Sequence, residues 1–290
     1  MRSNLINFTL LVILSMGLLS ACKNPTAPSV DDQDLNGYND KTFFRVDGSE
    51  ILNRQGEPVV IKGFGLGGWL LPEGYMFKMP GGFGATDVRN EITELIGAAK
   101  AEQWFKEFRD NYVTEDDIIA MKEWGVDHIR VPFHYDIFYD LETGAFKESG
   151  CERIDNLLVW CKRHRIDVIF DMHAAPGAQS ASEISDSDGE ARFFTESETY
   201  WPITITVWEE IARRYKDETI VMGYDIINEP VTPDGYDGKD LARFYGKIVP
   251  AIRAIDKNHI LFIEGNYYAA TFDYLYPPFD DNMVYAFHKY

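Results

Sequence analysis

The feature that most constrains the fold of this chain is an alternation of short apolar runs with amphipathic segments of helical spacing. The predicted strands are residues 59–65, 126–132, 166–173, 221–228, 260–264 and 283–288. The predicted helices are residues 92–112, 115–124, 152–164, 201–215, 239–255 and 268–275. Strands that alternate with helices form right-handed parallel βαβ units. The sequence therefore predicts one parallel sheet covered by helices, preceded by a β-hairpin at residues 43–52.

Polar side chains lie at the carboxyl ends of the predicted strands from the second onward. They are Arg130, Asp171 with His173, Asn228 with Glu229, Glu264, and His288 with Tyr290. In a (β/α)8 barrel all strand ends open on one mouth, whereas a doubly wound sheet concentrates its polar groups at a switch point. Because successive strands all carry such groups, the sequence favours an α/β fold of the (β/α)8 TIM barrel type.

The segment Tyr-Asp-Ile-Ile-Asn-Glu-Pro at residues 224–230 is the centre of the predicted chemistry. Neighbouring side chains of a strand point to opposite faces, so Asn228 and Glu229 can serve one pocket only if the ladder ends between them. Pro230 favours such an end because it has no N–H to donate. We therefore expect this pair to lie at the mouth of the barrel.

Composition and charge narrow the classes of partner. The 290 residues are 45% hydrophobic and 14% aromatic, enough for a large folded core. The formal net charge of −19 argues against a nucleic acid partner, because binding to phosphates needs clustered lysine and arginine. Neutral polymers such as polysaccharides remain acceptable ligands.

The amino terminus indicates export. Residues 1–21 have the basic start and apolar run of a signal peptide. The Leu-Ser-Ala-Cys run ending at Cys22 resembles a bacterial lipobox, in which that cysteine is lipidated, and a plain signal peptide is the alternative. Lys23 favours the outer membrane or cell surface over the inner membrane. Residues 22–40, rich in Pro, Asn, Asp and Ser, are predicted to be a flexible tether, and residues 41–290 the barrel domain.

The other two cysteines are predicted to be free thiols. Cys151 and Cys161 lie ten residues apart on one predicted helix. A rise of about 1.5 Å per residue separates them too far for a disulfide. We therefore expect two buried thiols and no metal site of cysteine type.

Together the strand ends resemble those of cellulase-type glycoside hydrolases, family five. The motifs are Arg-Val-Pro from Arg130, Asp-Met-His-Ala-Ala-Pro-Gly from Asp171, Asn-Glu-Pro from Asn228, and Phe-His-Lys-Tyr ending at Tyr290. Residues 63–73 and the His-Ala-Ala-Pro-Gly segment are similar to the β-glucanase branch that includes exo-1,3-glucanases. The resemblance implies a retaining hydrolase of a β-glucan and no cofactor.

The family's chemistry gives each residue type an expected role. Cleavage needs one carboxylic acid to protonate the leaving oxygen and, in retaining enzymes, a nucleophilic carboxylate about 5 to 5.5 Å away. The resemblance implies that Glu229 is the acid/base and that Asn228 hydrogen-bonds the sugar 2-hydroxyl. Arg130 would keep the nucleophile ionised, and Tyr290 would donate to it. Further substrate-binding positions are His173, His288, Glu73 and Glu264.

The chain departs from the family pattern at one point. The family's nucleophile ends the seventh strand, whereas Tyr290 follows the sixth. We therefore expect an incomplete, truncated barrel of about six of eight strands, with unpaired edges and little hydrolysis by this polypeptide alone. Glu264 matches the family's fifth strand and is expected to bind sugar or to support the structure.

Two alternatives use the same residues differently. A non-catalytic, glycan-binding surface lipoprotein would hold sugar in the same pocket without cleaving it. A metal site built from Asp171, His173 and His288 is disfavoured, because the first strand lacks the His-x-His of a metal-dependent barrel. Six aromatic residues are predicted near the mouth as sugar platforms or core, namely Trp69, Tyr75, Phe83, Trp201, Tyr267 and Tyr268.

Overall fold

The computed structural model describes residues 42–79 and 81–290 of the chain. The predicted signal peptide, the predicted tether and the predicted lipidation at Cys22 lie outside the described residues. Within those ranges, no helix is long and apolar enough to cross a membrane. The elements, in chain order, are β1 (Arg45–Asp47), β2 (Glu50–Leu52), β3 (Pro58–Val59), β4 (Gly63–Gly65), α1 (Ala85–Ile96), α2 (Ala98–Tyr112), α3 (Glu115–Glu123), β5 (His128–His134), β6 (Tyr139–Asp140), β7 (Ala145–Phe146), α4 (Glu148–His164), β8 (Asp167–Ala174), α5 (Arg192–Thr195), α6 (Ser197–Tyr215), β9 (Val221–Asp225), α7 (Gly238–Ile255), β10 (Ile260–Glu264), α8 (Asn266–Ala269) and β11 (Met283–Ala286).

The main sheet has six strands in the order β11-β10-β9-β8-β5-β4. Every neighbouring pair is parallel, and the spatial order follows the chain order, as successive βαβ units of a barrel require. Within the described residues, β4 and β11 are each paired on one side only. The prediction of an incomplete (β/α) barrel is confirmed.

The helices cover the sheet through one apolar face each, as α7 illustrates. Asp237 begins it by accepting a hydrogen bond from the Lys239 N–H at 2.7 Å, and the Asp240 carboxylate accepts from the Asp237 N–H at 2.8 Å. Its buried side chains recur at helical spacing and are Leu241, Phe244, Tyr245, Ile248, Val249 and Ile252. Burial of each such side chain contributes about 1.5 to 3 kcal/mol, so the helix is held mainly by packing.

A three-stranded antiparallel sheet of β1, β2 and β3 closes the base of the barrel. Phe44 packs with Ile169, Met222, Ile260 and Phe262, which belong to the barrel strands. The Val46 N–H donates to the Asn282 side chain at 2.8 Å, just before β11 begins. The β-hairpin predicted at residues 43–52 is therefore confirmed.

The run predicted as one first strand is divided between two sheets. Val59 pairs with Ile51 in the base sheet, whereas Gly63 pairs with His128 in the barrel. Between them, the Lys62 N–H donates to the Asp127 side chain at 2.8 Å, and the Lys62 carbonyl accepts from the Asp127 N–H. The apolar pattern is continuous across the division, so local sequence alone predicts one strand.

The predicted helix at residues 268–275 is wrong. Only the short turn α8 forms, and Tyr267 and Tyr268 inside it have positive φ. The cause is tertiary, because Asn266 uses its side chain to bond Thr232 across the mouth of the barrel. Both Cys151 and Cys161 are free and buried, as predicted.

Candidate functional site

The turn after β9 places the Asn-Glu pair. The strand ends at Asp225, three residues earlier than predicted, and the Asn228 N–H still donates to the Met172 carbonyl at 3.1 Å. Glu229 has a φ of +47°, in the left-handed region that non-glycine residues rarely adopt. This reversal lets neighbouring side chains face the same pocket, which a regular strand forbids.

One cavity of about 270 Å³ lies at the carboxyl ends of the strands. Its charged and polar lining residues are Glu73, Tyr75, Arg130, His173, Asn228, Glu229, His288 and Tyr290. Gly65 at the end of β4 and Gly67 in the loop after it also line the cavity, and so does Ile184. Seven of the eight substrate-contacting positions predicted from sequence therefore share one pocket, and Glu264 is the exception.

Arg130 is the electrostatic centre of the site. Its guanidinium contacts Asp171 at 2.9 Å, Asp225 at 2.8 Å and Glu264 at 3.0 Å. It also donates to the Asn228 side-chain oxygen at 2.8 Å, which orients that amide. Burial alone would lower the pKa of Arg130, but the three carboxylates raise it above its usual range. The arginine therefore stays charged and binds the ends of four strands together.

Three carboxyl groups around one guanidinium leave an excess of buried negative charge. Burial raises the pKa of Asp225 well above its usual range, Glu264 raises it further, and Arg130 opposes both. Within the described part of the chain, Oδ1 of Asp171 and Oδ1 of Asp225 are buried and have no hydrogen-bond partner. Asp225 is thus disposed to hold a proton at neutral pH.

We expect the free energy of unfolding of the Asp225→Asn variant to be about 1 kcal/mol higher than that of wild type at pH 7, because an amide mimics the neutral acid. The raised pKa of Asp225 means that the folded state keeps its proton to higher pH than the unfolded state. The contribution of Asp225 to wild-type stability is therefore complete below about pH 4 and is lost as pH rises, so the advantage of the variant grows. Urea unfolding at pH 4, 6 and 8 measures this.

The matched control for that experiment is Asp171→Asn. Asp171 forms an ion pair with Arg130 and a hydrogen bond with His173, so losing its charge is expected to cost about 3 kcal/mol. If both asparagine variants were equally destabilised at every pH, the assignment of the proton to Asp225 would be wrong.

Glu229 is held by two donors. Tyr290 donates its hydroxyl to Oε1 of Glu229 at 2.6 Å, and Nδ1 of His288 contacts the same oxygen. Burial alone would raise the pKa of Glu229, but the hydrogen bonds from His288 and Tyr290 lower it. Burial opposes protonation of His288, yet its bonds to Glu229 and Glu264 raise its pKa to about 10. In this arrangement Glu229 is a carboxylate facing an imidazolium at neutral pH.

Glu73 is a second glutamate in the same cavity, and its environment raises its pKa, whereas that of Glu229 is lowered. It is 6% exposed, and burial raises its pKa, with Glu229 and Asp171 adding to the increase and His173 opposing it. Tyr75, whose side chain interacts with Glu73, is largely exposed at the rim. Two carboxyl groups whose pKa values are shifted apart are the arrangement used by acid/base catalysts.

The remaining predicted residues occupy distinct places. Nδ1 of His173 contacts Asp171 at 2.6 Å, which leaves the rest of its ring toward the cavity. Glu264 is fully buried, where it contacts Arg130 and His288 and accepts from the Glu229 N–H at 2.6 Å. This geometry favours the supporting alternative for Glu264 over direct sugar contact. Tyr290, predicted to donate to a nucleophile, donates here to Glu229.

Sequence reasoning missed the role of Asp225, although a charged residue inside an apolar strand was a usable signal. The six aromatic residues differ in burial, and Phe83 is intermediate. Trp69 and Trp201 are buried in the core, whereas Tyr75, Tyr267 and Tyr268 are exposed. Among residues 42–79 and 81–290, no group of three His, Cys, Asp or Glu side chains is placed to hold a metal ion.

Comparison with known proteins relates the chain to a family of glycosyl hydrolases. The family model described as Cellulase (glycosyl hydrolase family 5) matches residues 86–290. A beta-xylosidase from Phanerodontia chrysosporium is 32% identical over 255 residues, which are 86% of this chain and 52% of that protein. Endoglucanase C from Acetivibrio thermocellus is 34% identical over 193 residues, 64% of this chain and 52% of that protein. The chain thus spans about half the length of the curated relatives it matches.

A solved structure supports the same fold. The β-glucanase from Saccharophagus degradans in complex with cellotetraose superposes with a TM-score of 0.58 at 18% identity, covering 86% of this chain and 62% of that one. At this identity the likeness concerns the fold, which agrees with the parallel strands and helices described above.

Proposed function

The chain belongs to the cellulase family, glycosyl hydrolase family 5, and from this premise we propose that it acts on β-glucans by the retaining, double-displacement mechanism. The observation that carries the proposal is the single cavity lined by Arg130, His173, Asn228, Glu229 and His288. A hexose ring presents hydroxyls on all sides, and these side chains supply donors and acceptors around one hollow. The endoglucanase relative supports a glucan as the substrate.

Glu229 is the proposed acid/base. It sits on a reversed backbone turn at the floor of the strand ends, and its N–H is fixed by the buried Glu264 carboxylate. Asn228 is proposed to bind the sugar 2-hydroxyl. Its side-chain oxygen is occupied by Arg130, while its amide nitrogen has no hydrogen-bond partner within the described residues. That nitrogen is buried and unpaired beside the cavity, and its proposed partner is the hydroxyl, in a contact that tightens in the transition state.

The second carboxylate of the mechanism is assigned to no residue of the described chain. Glu264 cannot act in its place, because it is fully buried and occupied by Arg130, His288 and the Glu229 N–H. An arriving carboxylate would compete with Glu229 for the Tyr290 hydroxyl and the charge of His288. Loss of those donors would raise the pKa of Glu229 toward the range that a general acid needs.

One observation favours a second candidate function, glycan binding without cleavage. In the described part of the chain, His288 and Tyr290 both donate to Glu229 and lower its pKa, which suits acceptance of hydroxyls better than proton donation. We therefore expect a polypeptide ending at Tyr290 to bind glucan oligosaccharides while showing little turnover.

The proposed location is the cell surface or outer membrane, through a lipid on Cys22 and the tether of residues 22–40. The composition of the first residues supports this. Metabolic labelling with a fatty acid would mark the wild type and leave Cys22→Ser unlabelled.

The function is tested with the protein as its gene encodes it. Release of reducing sugar from β-1,4- and β-1,3-glucan, together with calorimetric titration of cello- and laminari-oligosaccharides, separates the two candidates. Hydrolysis supports the enzyme, and binding without hydrolysis supports the glycan-binding protein. Absence of both would refute the proposal.

A further inference from the structure

Gln179 has a buried side-chain amide that lies outside the sheet and contacts the carboxyl ends of β8 and β9. It follows β8 in a loop that turns back at Gly177, which has a φ of +80°. A side chain at Gly177 would meet the Tyr200 ring, since an added Cβ would lie 2.4 Å from it. This tight turn returns Gln179 to the ends of β8 and β9, where it is completely buried.

The amide of Gln179 is fully used by backbone groups. Nε2 donates to the His173 carbonyl at 2.7 Å and to the Asn228 carbonyl at 2.7 Å. Oε1 accepts from the Ala175 N–H at 2.9 Å. The backbone carbonyl of Gln179 accepts from the Val231 N–H at 2.9 Å. One residue therefore holds the segment on both sides of Glu229.

The backbone ladder between β8 and β9 holds this segment only weakly. The paired register of β8 and β9 ends at Asp171 and Asp225. Beyond it, one backbone bond remains between the two strand ends in the described residues, from the Asn228 N–H to the Met172 carbonyl. Glu229 also has a left-handed backbone, which persists only where surrounding contacts determine it.

We propose that Gln179 is a positioning residue, whose side-chain amide continues the ladder between β8 and β9 and thereby sets where His173, Asn228 and Glu229 point. The catalytic meaning of this inference rests on the proposed function, while the positioning itself does not. An amide is required, because Nε2 offers two N–H groups to two carbonyls and Oε1 accepts one N–H.

The test is the isosteric variant Gln179→Glu. Above the raised pKa of this buried acid, its carboxylate would face the carbonyl oxygens of His173 and Asn228 with no proton to donate. We expect amide hydrogen exchange at Asn228 and Glu229 to accelerate at least tenfold, while Val249 in α7 keeps its wild-type rate. At pH 5 the buried acid regains a proton and can donate one bond, so the acceleration should shrink after correction for intrinsic exchange.

Two further variants complete the design. Gln179→Met has similar size and no charge, and is expected to show the same local acceleration without the pH dependence. Gln103→Glu, on the exposed face of α2, makes the same chemical change away from the site and should behave as wild type. In the encoded protein, kcat of Gln179→Glu per folded molecule should fall at least tenfold, with KM changing less than threefold.

The outcomes separate this inference from the proposed function. If wild type fails to hydrolyse glucan but exchange accelerates at Asn228 and Glu229, the positioning role stands and the enzymatic proposal fails. If exchange at those two amides is unchanged in Gln179→Glu and Gln179→Met, the inference is overturned whatever the activity.

Discussion

Replacement of Glu229 by glutamine is expected to lower kcat of the encoded protein on β-glucan by about a thousandfold, which is the typical contribution of a positioned acid/base. The amide keeps the shape of the side chain and its contact with Tyr290, but it cannot protonate the leaving oxygen. The affinity for oligosaccharide should change little. Initial rates and calorimetric titration on the same preparation measure the two quantities separately.

Glu73→Gln is the matched control, because it makes the same change in the same cavity. Glu73 is proposed to bind a hydroxyl, so we expect a loss in affinity of about tenfold with a smaller effect on kcat. The opposite result, in which Glu73→Gln abolishes turnover and Glu229→Gln weakens only binding, would exchange the two roles. The raised pKa of Glu73 and the lowered pKa of Glu229 are both compatible with that exchange, so the pair of variants decides between the two assignments.

Replacement of Arg130 by methionine is expected to lower the free energy of unfolding by about 3 to 5 kcal/mol. Asp171, Asp225 and Glu264 would lose the cation that compensates their charge in a buried site. Addition of Asp225→Asn to this variant should recover part of the loss, because it removes one of the three carboxyl groups. Urea unfolding of the single and double variants measures both effects.

Arg213→Met provides the comparison, since this arginine is exposed and contacts only Glu210 in the salt bridges of the described chain. A surface pair of that kind contributes about 0 to 1 kcal/mol. If Arg130→Met were as mild as Arg213→Met, the guanidinium would not be the electrostatic centre of the strand ends.

Much of the fold was predictable because its signals are local. The capping of α7 by Asp237 and the apolar spacing from Leu241 to Ile252 are written in consecutive residues. The division of residues 58–65 between two sheets was not predictable, because it depends on partners that are distant in sequence, Ile51 and His128. The helix prediction at residues 268–275 was wrong for the same reason, because the Asn266 side chain accepts a hydrogen bond from the distant Thr232 N–H.

In the candidate site, too, the residue types could be predicted from the sequence, whereas their contacts could not. The types of residue at the strand ends, including Arg130, Asn228 and Glu229, follow from the motifs. Their partners do not, and the motifs gave no indication that Tyr290 and His288 contact Glu229 or that Gln179 joins two strand ends. The role of Asp225 likewise depends on how many carboxyl groups contact the Arg130 guanidinium, which the tertiary structure decides and the sequence positions do not show.

The sequence by itself determined the order of strands and helices, the family, and the chemical groups available at the mouth of the barrel, because periodicity and motif are properties of neighbouring residues. Only the tertiary structure decided which of those groups are charged and which of them touch. The pKa of a carboxyl group depends on its burial and on the charges within a few ångströms. Those surroundings come from strands far apart in the chain, as the approach of Arg130 to Glu264 demonstrates.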